Sequence, residues 1–281
     1  MNEYILELKK SKKLILSIDK KNKFFKFKKP YIIAGPCSIE SEEMIINFSK
    51  KLKKIGVNAI RAGAYKPATF PVRKKINGWQ EGLKKEGLKY LIEVKRITNL
   101  PIVSEIMDQY QYDNLAEDSI DIIQVGTRNF QNYTLLDFLG TLKKPVLLKR
   151  GTWATIDEIL GAAERILAKG NNEVAICLRG VVGMPSYRHV FKSIRWAPDI
   201  MMIPALKELT NIPIIYDPSH STGYRNFVPT ISKAAISAGA DGLIIEAHPN
   251  PEKSISDPDQ AINILNLNEI IKFSKKYNKH F

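Results

Sequence analysis

Long apolar runs and abundant cysteines are both missing from this sequence. No stretch approaches the roughly 20 apolar residues that a membrane span needs. The N-terminal segment MNEYILELKKSKKLILSIDKK interrupts its short apolar stretches with Glu and Lys, unlike a signal peptide. Only two cysteines, Cys37 and Cys177, occur among 281 residues, which is too few for a disulfide framework. These absences predict a cytoplasmic protein without a membrane span.

Local signatures of cofactor binding are missing as well. No GxGxxG follows the first predicted strand, so nothing favours an open dinucleotide-binding sheet. Neither HExxH nor CxxC occurs, so a metal site would have to be assembled from distant segments. No linker divides the chain, and its length suits one barrel of roughly 250 residues, although length alone also allows two smaller domains.

Acidic residues are outnumbered by basic ones, 29 Asp plus Glu against 43 Lys plus Arg, for a net charge of +14. The excess favours an anionic partner, and charge alone leaves nucleic acid, acidic lipid and phosphorylated metabolites open. Much of it consists of lysine runs at 9–13, 20–29 and 50–54, which are typical of a solvated surface. We therefore expect a small anionic substrate rather than nucleic acid or a membrane.

Short β-branched runs alternate with longer amphipathic stretches from residue 31 to the end, as in βα units around a parallel sheet. Eight regular units favour the α/β class and a closed (β/α)8 TIM barrel, with an open doubly wound sheet as the alternative. We expect the catalytic barrel to span 31–281. The predicted strands are 31–36, 59–64, 101–106, 122–126, 145–150, 174–180, 213–218 and 242–248.

Residues 1–30 are expected to form a short N-terminal extension, hairpin-like, over the bottom of the barrel. They are too few for a separate regulatory domain. The longest connections, KPATFPVRKKINGWQEG and VVGMPSYRHVFKSIRWAP, follow the second and sixth predicted strands. Long loops in a compact domain tend to be functional, and both leave the barrel on the face where such folds place their active sites.

Alternation along the strands predicts which side chains point into the barrel. It places Arg61, Arg128, Lys149 and Arg179 at one rim, where cations without partners would be costly. Guanidinium forks and the lysine ammonium suit phosphate and carboxylate groups. We therefore predict an anion site at this rim; for each cation alone, a structural salt bridge or an outward side chain remains the alternative.

Four potential metal ligands lie at the same rim. Cys37 follows the first strand, His220 follows the seventh, and Glu246 lies on the eighth strand with Asp257 in the loop after it. Closing the barrel would bring the first strand beside the eighth. A thiolate, an imidazole and two carboxylates suit Mn, Fe, Co or Zn better than Mg or Ca. The sequence thus predicts one divalent metal ion.

Each of these residues also has a purely structural interpretation. Cys37 could be a small buried hydrophobe, His220 and His248 hydrogen-bonded structural imidazoles, and Asp257 the N-cap of the last helix. Cys177 is flanked by apolar residues and is expected to serve packing.

Seven motifs, in chain order, resemble those of the 3-deoxy-7-phosphoheptulonate (DAHP) synthases, in the subgroup close to the 3-deoxy-octulosonate (KDO) 8-phosphate synthases. The resemblance covers about residues 30–260 and implies the TIM barrel. The motifs are GPCSIES (35–41), RAGAYKP (61–67), VGTRNFQN (125–132), LLKRG (147–151), LRG (178–180), DPSHSTG (217–223) and EAHPNP (246–251).

The resemblance implies a transferase that condenses phosphoenolpyruvate (PEP) with erythrose 4-phosphate, giving 3-deoxy-D-arabino-heptulosonate 7-phosphate and phosphate, the first step of the shikimate pathway to aromatic amino acids. It implies a metal held by Cys37, His220, Glu246 and Asp257. Some metal-independent relatives carry Asn at the position of Cys37, so this cysteine indicates metal dependence. Relatives are commonly homodimers or homotetramers.

The resemblance also assigns roles in substrate binding and chemistry. Glu105 would lie near the reacting carbons or an ordered water. The residues implied in the chemistry are Cys37, Lys66, Glu105 and His220. Those implied in substrate binding are Arg61, Lys66, Pro67, Thr69, Arg128, Lys149 and Arg179.

The sequence departs from the family at the motif that binds the aldehyde phosphate. DAHP synthases carry KPRTS and KDO-8-phosphate synthases carry KANRTS, whereas this chain has KPATF with Ala68 in place of the arginine. Losing one charge-assisted contact would cost roughly 1.5 to 3 kcal/mol. A basic residue at 73–75, or Arg225, could compensate. The alternatives are a paralogue that uses a different aldose or aldose phosphate, and a basic binding or scaffold barrel without turnover.

Overall fold

The predicted barrel is present in the computed structural model, which describes residues 30–67, 81–112, 116–183 and 196–277. Its parallel strands pair in chain order, and β1 closes the sheet against β8, from Tyr31 beside Gly242 to Gly35 beside Glu246. The fold is therefore a closed (β/α)8 barrel. The strands are β1 (Tyr31–Gly35), β2 (Ala59–Arg61), β3 (Ile102–Glu105), β4 (Ile122–Val125), β5 (Val146–Lys149), β6 (Val174–Leu178), β7 (Ile214–Tyr216) and β8 (Gly242–Glu246).

The strands are shorter than predicted, because strand pairing ends before the run of buried residues does. The second predicted strand, 59–64, ends at Arg61, although Ala62 and Ala64 remain in the core. The sixth, 174–180, ends at Leu178. The residues just past each strand end are thus free to turn toward the site while still being anchored by the barrel.

Helices surround the sheet, and local sequence explains where they begin and end. Ser41 caps α1 by accepting the N–H of Met44, and Gly56 ends it at a left-handed φ of 93°. Thr155 and Glu158 form a capping box at α6. In the described ranges the helices are α1 (Glu42–Ile55), α2 (Lys84–Thr98), α3 (Gln109–Gln111), α4 (Glu117–Ser119), α5 (Tyr133–Thr141), α6 (Ile156–Ala168), α7 (Met202–Leu209), α8 (Pro218–Thr222), α9 (Val228–Ser237) and α10 (Ile264–Tyr277).

The core has two layers, as the alternation of the strands predicts. The larger layer fills the space between sheet and helices. The smaller one fills the barrel interior with alternate residues from all eight strands, so the next inward positions toward the carboxyl ends form the rim of the site. The interior residues are Tyr31, Ile33, Ala59, Val103, Ile122, Leu147, Ala175, Cys177, Ile215 and Ile244.

The opposite end of the barrel is held by a repeated polar contact. Asn58, Asp121 and Asp241 precede β2, β4 and β8, and each accepts a backbone N–H at the start of β1, β3 or β7 over 2.8 to 2.9 Å. Asn171, which precedes β6, donates instead to the carbonyl of Lys144 just before β5. These contacts satisfy backbone groups at the bottom of the barrel and leave the top for chemistry.

Several predictions fall outside the described residues: nearly all of the N-terminal extension 1–30, and most of the two long loops, at 68–80 and 184–195. The boundary between extension and barrel therefore stays a prediction. Among the helices that the structure describes, none has the length and apolar character to cross a lipid bilayer.

Candidate active site

Three of the predicted metal ligands meet at the carboxyl ends of β1 and β8. The ligand atoms of Cys37, Glu246 and Asp257 all lie within 4.8 Å of one another. Sγ of Cys37 is 3.0 Å from Oδ2 of Asp257 although 220 positions separate them in the chain. Cys37 and Glu246 are buried, whereas the Asp257 side chain is 25% exposed. Solvent therefore reaches the cluster on the side of Asp257.

His220 approaches the same cluster from the first turn of α8. Its Nε2 lies 3.5 Å from Oε1 of Glu246, while its Nδ1 lies 2.8 Å from Oδ2 of Asp217. Asp217 also accepts the backbone N–H of His220 over 2.9 Å. Burial lowers the pKa of His220 by more than the neighbouring Asp217 raises it. Asp217 thus orients the imidazole with Nε2 toward the cluster, as a metal ligand requires.

Asp217 is a site residue that the sequence reasoning did not single out. It is fully buried at the end of β7, where it contacts the ammonium of Lys149 as well as His220. Two signals pointed to it: it opens the DPSHSTG motif, and it follows the interior residue Ile215 by two positions.

The chemistry of this donor set fits a divalent metal ion. The Lys66 ammonium contacts Sγ of Cys37 and lies 3.3 Å from Oδ2 of Asp257, so a positive charge already lies between these ligands. Burial and the neighbouring Glu246 raise the pKa of Cys37, which keeps the thiol protonated until a cation compensates it. Burial alone would raise the pKa of Glu246, but His220 and Arg61 hold it below its ordinary value. Glu246 is therefore an ionised carboxylate that can bind a cation.

The cations at the rim are paired, contrary to the premise that they lack partners. Nη1 of Arg61 donates to Oε1 of Glu246 over 2.7 Å, and Lys149 contacts Asp217. Arg179 is buried with its guanidinium 5.0 Å from the ring centre of Trp196. The charges of Arg61 and Lys149 are thus compensated inside the barrel, by carboxylates that follow or end other strands. An arriving anion would share or exchange these contacts.

Arg128 does not follow the strand alternation used to place it. β4 ends at Val125, and Arg128 lies in a single 3-10 turn (Thr127–Asn129) with an exposed side chain. Its Nη1 lies 3.5 Å from the carbonyl oxygen of Pro67. Arg128 therefore reaches the start of the loop after β2 from the outer rim, rather than from inside the barrel.

Glu105 closes β3 at the same rim. Its Oε2 accepts from Nε2 of Gln124 on β4 over 3.0 Å. A Cβ at Gly126 would lie 2.0 Å from Oε1 of Glu105, so only glycine leaves room for this carboxylate. Gln124 and Gly126 thus orient Glu105, a relationship that only the packing of β3 against β4 reveals.

The structure bears on two of the structural interpretations, that of Asp257 as an N-cap and that of Cys177 as a packing residue. Helix α10 begins at Ile264, and Asn263 accepts the N–H of Leu265, so the interpretation of Asp257 as its N-cap is wrong. Cys177 lies in the apolar barrel interior, where burial raises its pKa to about 12.

The aldehyde half of the site is described only in part. Thr69, Ala68 and the basic residues at 73–75 lie outside the described residues. Lys66 and Pro67 are half-buried; Lys66 contacts the ligands, and the carbonyl of Pro67 faces Arg128. Nη2 of Arg225 donates to the carbonyl of Pro258 over 2.7 Å, and Nη1 lies 3.4 Å from Glu252. To compensate for Ala68, Arg225 would have to leave these contacts.

Comparisons with known proteins identify relatives of this chain. A phospho-2-dehydro-3-deoxyheptonate aldolase of Thermotoga maritima is 41% identical over 245 residues, 87% of this chain and 69% of the relative. A 2-dehydro-3-deoxyphosphooctonate aldolase of Francisella tularensis subsp. holarctica is 27% identical over 261 residues, 88% of this chain and 90% of the relative.

Solved structures match as well. The crystal structure of the Thermotoga maritima DAHP synthase aligns with a TM-score of 0.79 and 38% identity, covering 89% of this chain and 69% of that chain. A truncated form of the same synthase aligns with a TM-score of 0.76 and 37% identity, covering 89% and 86%. The model of the DAHP synthetase I family matches residues 16–281, and the chain belongs to that family.

Proposed function

We propose that this protein condenses PEP with erythrose 4-phosphate to form 3-deoxy-D-arabino-heptulosonate 7-phosphate and phosphate. The observation that carries the proposal is the meeting of buried Arg61, Lys149 and Arg179 with the ligand cluster of Cys37 and Glu246 at one rim. The higher identity to the heptonate relative, 41% against 27% for the octonate one, supports erythrose 4-phosphate as the aldehyde.

PEP would bind where the cations converge. Arg61 and Arg179 present planar forks to its carboxylate or phosphate, and Lys149 adds a compact charge. Lys66 and Arg128 complete the set from the β2 loop and the outer rim. Burial strengthens the contacts of Arg61, Lys149 and Arg179 because they operate away from bulk water. The same cations would stabilise the charge that leaves with phosphate.

The reaction joins the methylene carbon of PEP to the aldehyde carbon, and the electron pair of the aldehyde double bond moves to its oxygen, which takes a proton and becomes a hydroxyl. Water adds to the former enol carbon and loses a proton. The resulting hemiketal phosphate then expels phosphate and leaves a ketone. Glu105, held by Gln124 at 3.0 Å, is proposed to orient this water or accept its proton.

We propose that Cys37, His220, Glu246 and Asp257 hold one divalent ion, of Mn, Fe, Co or Zn. When bound, such an ion polarises the aldehyde oxygen. Lys66 would then leave its contacts with Cys37 and Asp257 for the substrate, since its ammonium and the ion compete for the same anionic groups.

Because Ala68 replaces the arginine that binds the aldehyde phosphate in the family, the identity of the aldehyde needs a direct test. A phosphate-release assay on the full chain with Co²⁺ and PEP should compare erythrose 4-phosphate, arabinose 5-phosphate, ribose 5-phosphate and unphosphorylated aldoses. We expect erythrose 4-phosphate to give the highest kcat/KM. Preference for a pentose phosphate would instead indicate the paralogue, and nucleic-acid binding without phosphate release would indicate the scaffold barrel. In Ala68→Arg we expect KM for a phosphorylated aldose to fall about ten- to a hundredfold.

We also propose that the protein acts in the cytoplasm as a homodimer or homotetramer. Both of its cysteines are free thiols, and a cysteine that serves as a metal ligand is preserved by a reducing compartment. Light scattering coupled to size exclusion would give the mass of the assembly, with a monomer as the contradicting result.

A further inference from the structure

We infer that Glu40 is a positioning residue for the metal site, because it fastens together the three chain segments that carry Cys37, Glu246 and Asp257. The inference rests on the metal site of the proposed function. It concerns a residue outside the ligand cluster.

The segments that carry Cys37 and Asp257 meet directly at the Glu40 carboxylate. Glu40 lies three residues after Cys37, in the connection between β1 and α1. Its Oε1 accepts the N–H of Ile255 over 2.9 Å and the hydroxyl of Ser254 over 3.4 Å. Because Ile255 precedes Asp257 by two residues, the carboxylate holds the Asp257 loop against the segment that presents Cys37.

The third segment reaches Glu40 through His248, which the ligand cluster does not use. His248 lies two residues after Glu246, is 4% exposed, and places Nε2 3.2 Å from Oε1 of Glu40. Its Nδ1 lies 2.6 Å from the carbonyl oxygen of Asn250 and 3.1 Å from the backbone nitrogen of the same residue, so Asn250 fixes the ring that lies beside Glu40. Partial burial would raise the pKa of Glu40, but His248 and the N–H of Ile255 lower it, so the group is a carboxylate.

The Asp257 loop needs such a restraint. Residues 254–263, all described by the structure, form no helix, and Asp257 has a left-handed φ of 53°. The left-handed conformation is less favourable for Asp than for Gly, so contacts from the surroundings help to hold the loop in it. Ser256 adds a further contact, with Oγ 3.3 Å from Oδ2 of Asp257. With Glu40 removed, the loop has other conformations in which Asp257 lies away from Cys37.

The test measures metal affinity rather than turnover. EDTA-stripped full-length wild type, Glu40→Gln and Glu40→Ala would be titrated with Co²⁺, following the thiolate-to-cobalt absorption of Cys37. We expect Glu40→Ala to weaken Co²⁺ binding about ten- to a hundredfold, as loss of outer partners does at other metal sites. Glu40→Gln should lose less, because its amide oxygen still accepts the N–H of Ile255. Glu43→Ala, an exposed carboxylate in α1, is the matched control and should bind as wild type does.

A double-mutant cycle shows whether Glu40 acts through Asp257. In the Asp257→Ala background, Glu40→Ala should add less than about twofold, because the ligand that it positions is gone. The inference would be overturned if the loss of Co²⁺ affinity in the double variant equalled the product of the two single losses, or if Glu40→Ala bound Co²⁺ as wild type does.

Circular dichroism of Glu40→Gln checks that the variant is folded. Failure of wild type to bind Co²⁺ would refute the metal site itself, and the role of Glu40 with it. A wild type that binds Co²⁺ but releases no phosphate would refute only the proposed reaction.

Discussion

Arg61 donates to Glu246 over 2.7 Å from β2 to β8, the two strands that flank β1. One partner is proposed to bind PEP and the other to bind the metal. The two halves of the site therefore share a buried ion pair, and whatever occupies one half changes the charge seen by the other.

Arg61→Met should destabilise the metal-free protein by about 3–5 kcal/mol, because it leaves Glu246 buried and charged without this partner. Bound Co²⁺ should reduce the loss, since the ion would neutralise the same carboxylate. Urea unfolding in EDTA and in Co²⁺ measures both values, and an equal loss under the two conditions would contradict the coupling. Arg165→Met is the control; it breaks an exposed pair with Asp137 and should cost about 1 kcal/mol or less.

Gly126→Ala should lower kcat about ten- to a hundredfold, because the new methyl group would lie 2.0 Å from Oε1 of Glu105 and displace that carboxylate. Steady-state phosphate release measures the effect. Gly161→Ala is the matched control: nothing lies within 4 Å of its Cβ in the interior of α6, so it should retain activity and gain about 0.5–1 kcal/mol. An active Gly126→Ala enzyme would show that the position of Glu105 is unimportant.

Asp199 should influence PEP binding without touching PEP. Its carboxylate accepts from Arg150 over 2.9 Å and from the N–H of Gly180 over 2.8 Å, so it joins the residues that follow Lys149 and Arg179. We expect Asp199→Ala to raise KM for PEP more than it lowers kcat, and to destabilise the fold by about 3–5 kcal/mol.

Asp199→Asn should recover part of the PEP affinity, because its amide oxygen can still accept the N–H of Gly180. Steady-state kinetics of both variants at saturating aldehyde give the comparison. An unchanged KM for PEP in Asp199→Ala would contradict the connection.

Removing the metal should abolish turnover. EDTA treatment or Cys37→Ala is expected to stop phosphate release, and adding Mn²⁺ or Co²⁺ should restore only the EDTA-treated wild type. Full activity of metal-free protein would refute metal dependence.

Cys177→Ala is the control for Cys37→Ala and should stay active. Cys177 should also resist alkylation in the folded protein, because burial raises its pKa to about 12.

The sequence by itself determined the barrel and the rim at which the candidate site residues lie. Alternating apolar runs place the interior residues, and a period of two brings Lys149 and Arg179 to the rim, because backbone geometry makes both patterns local. The ligand candidates Cys37, Glu246 and Asp257 could be named for the same reason: each follows or ends a recognisable strand.

Only the tertiary structure decided which partners these residues have. Arg61 and Glu246 are 185 positions apart, and Cys37 and Asp257 are 220 apart, so their contacts depend on barrel closure rather than on spacing. Arg128 does not follow the expected alternation, because β4 ends at Val125, three residues before it. The sequence therefore determined positions along each strand, while pairing, burial and charge balance depended on segments that meet only when β8 closes against β1.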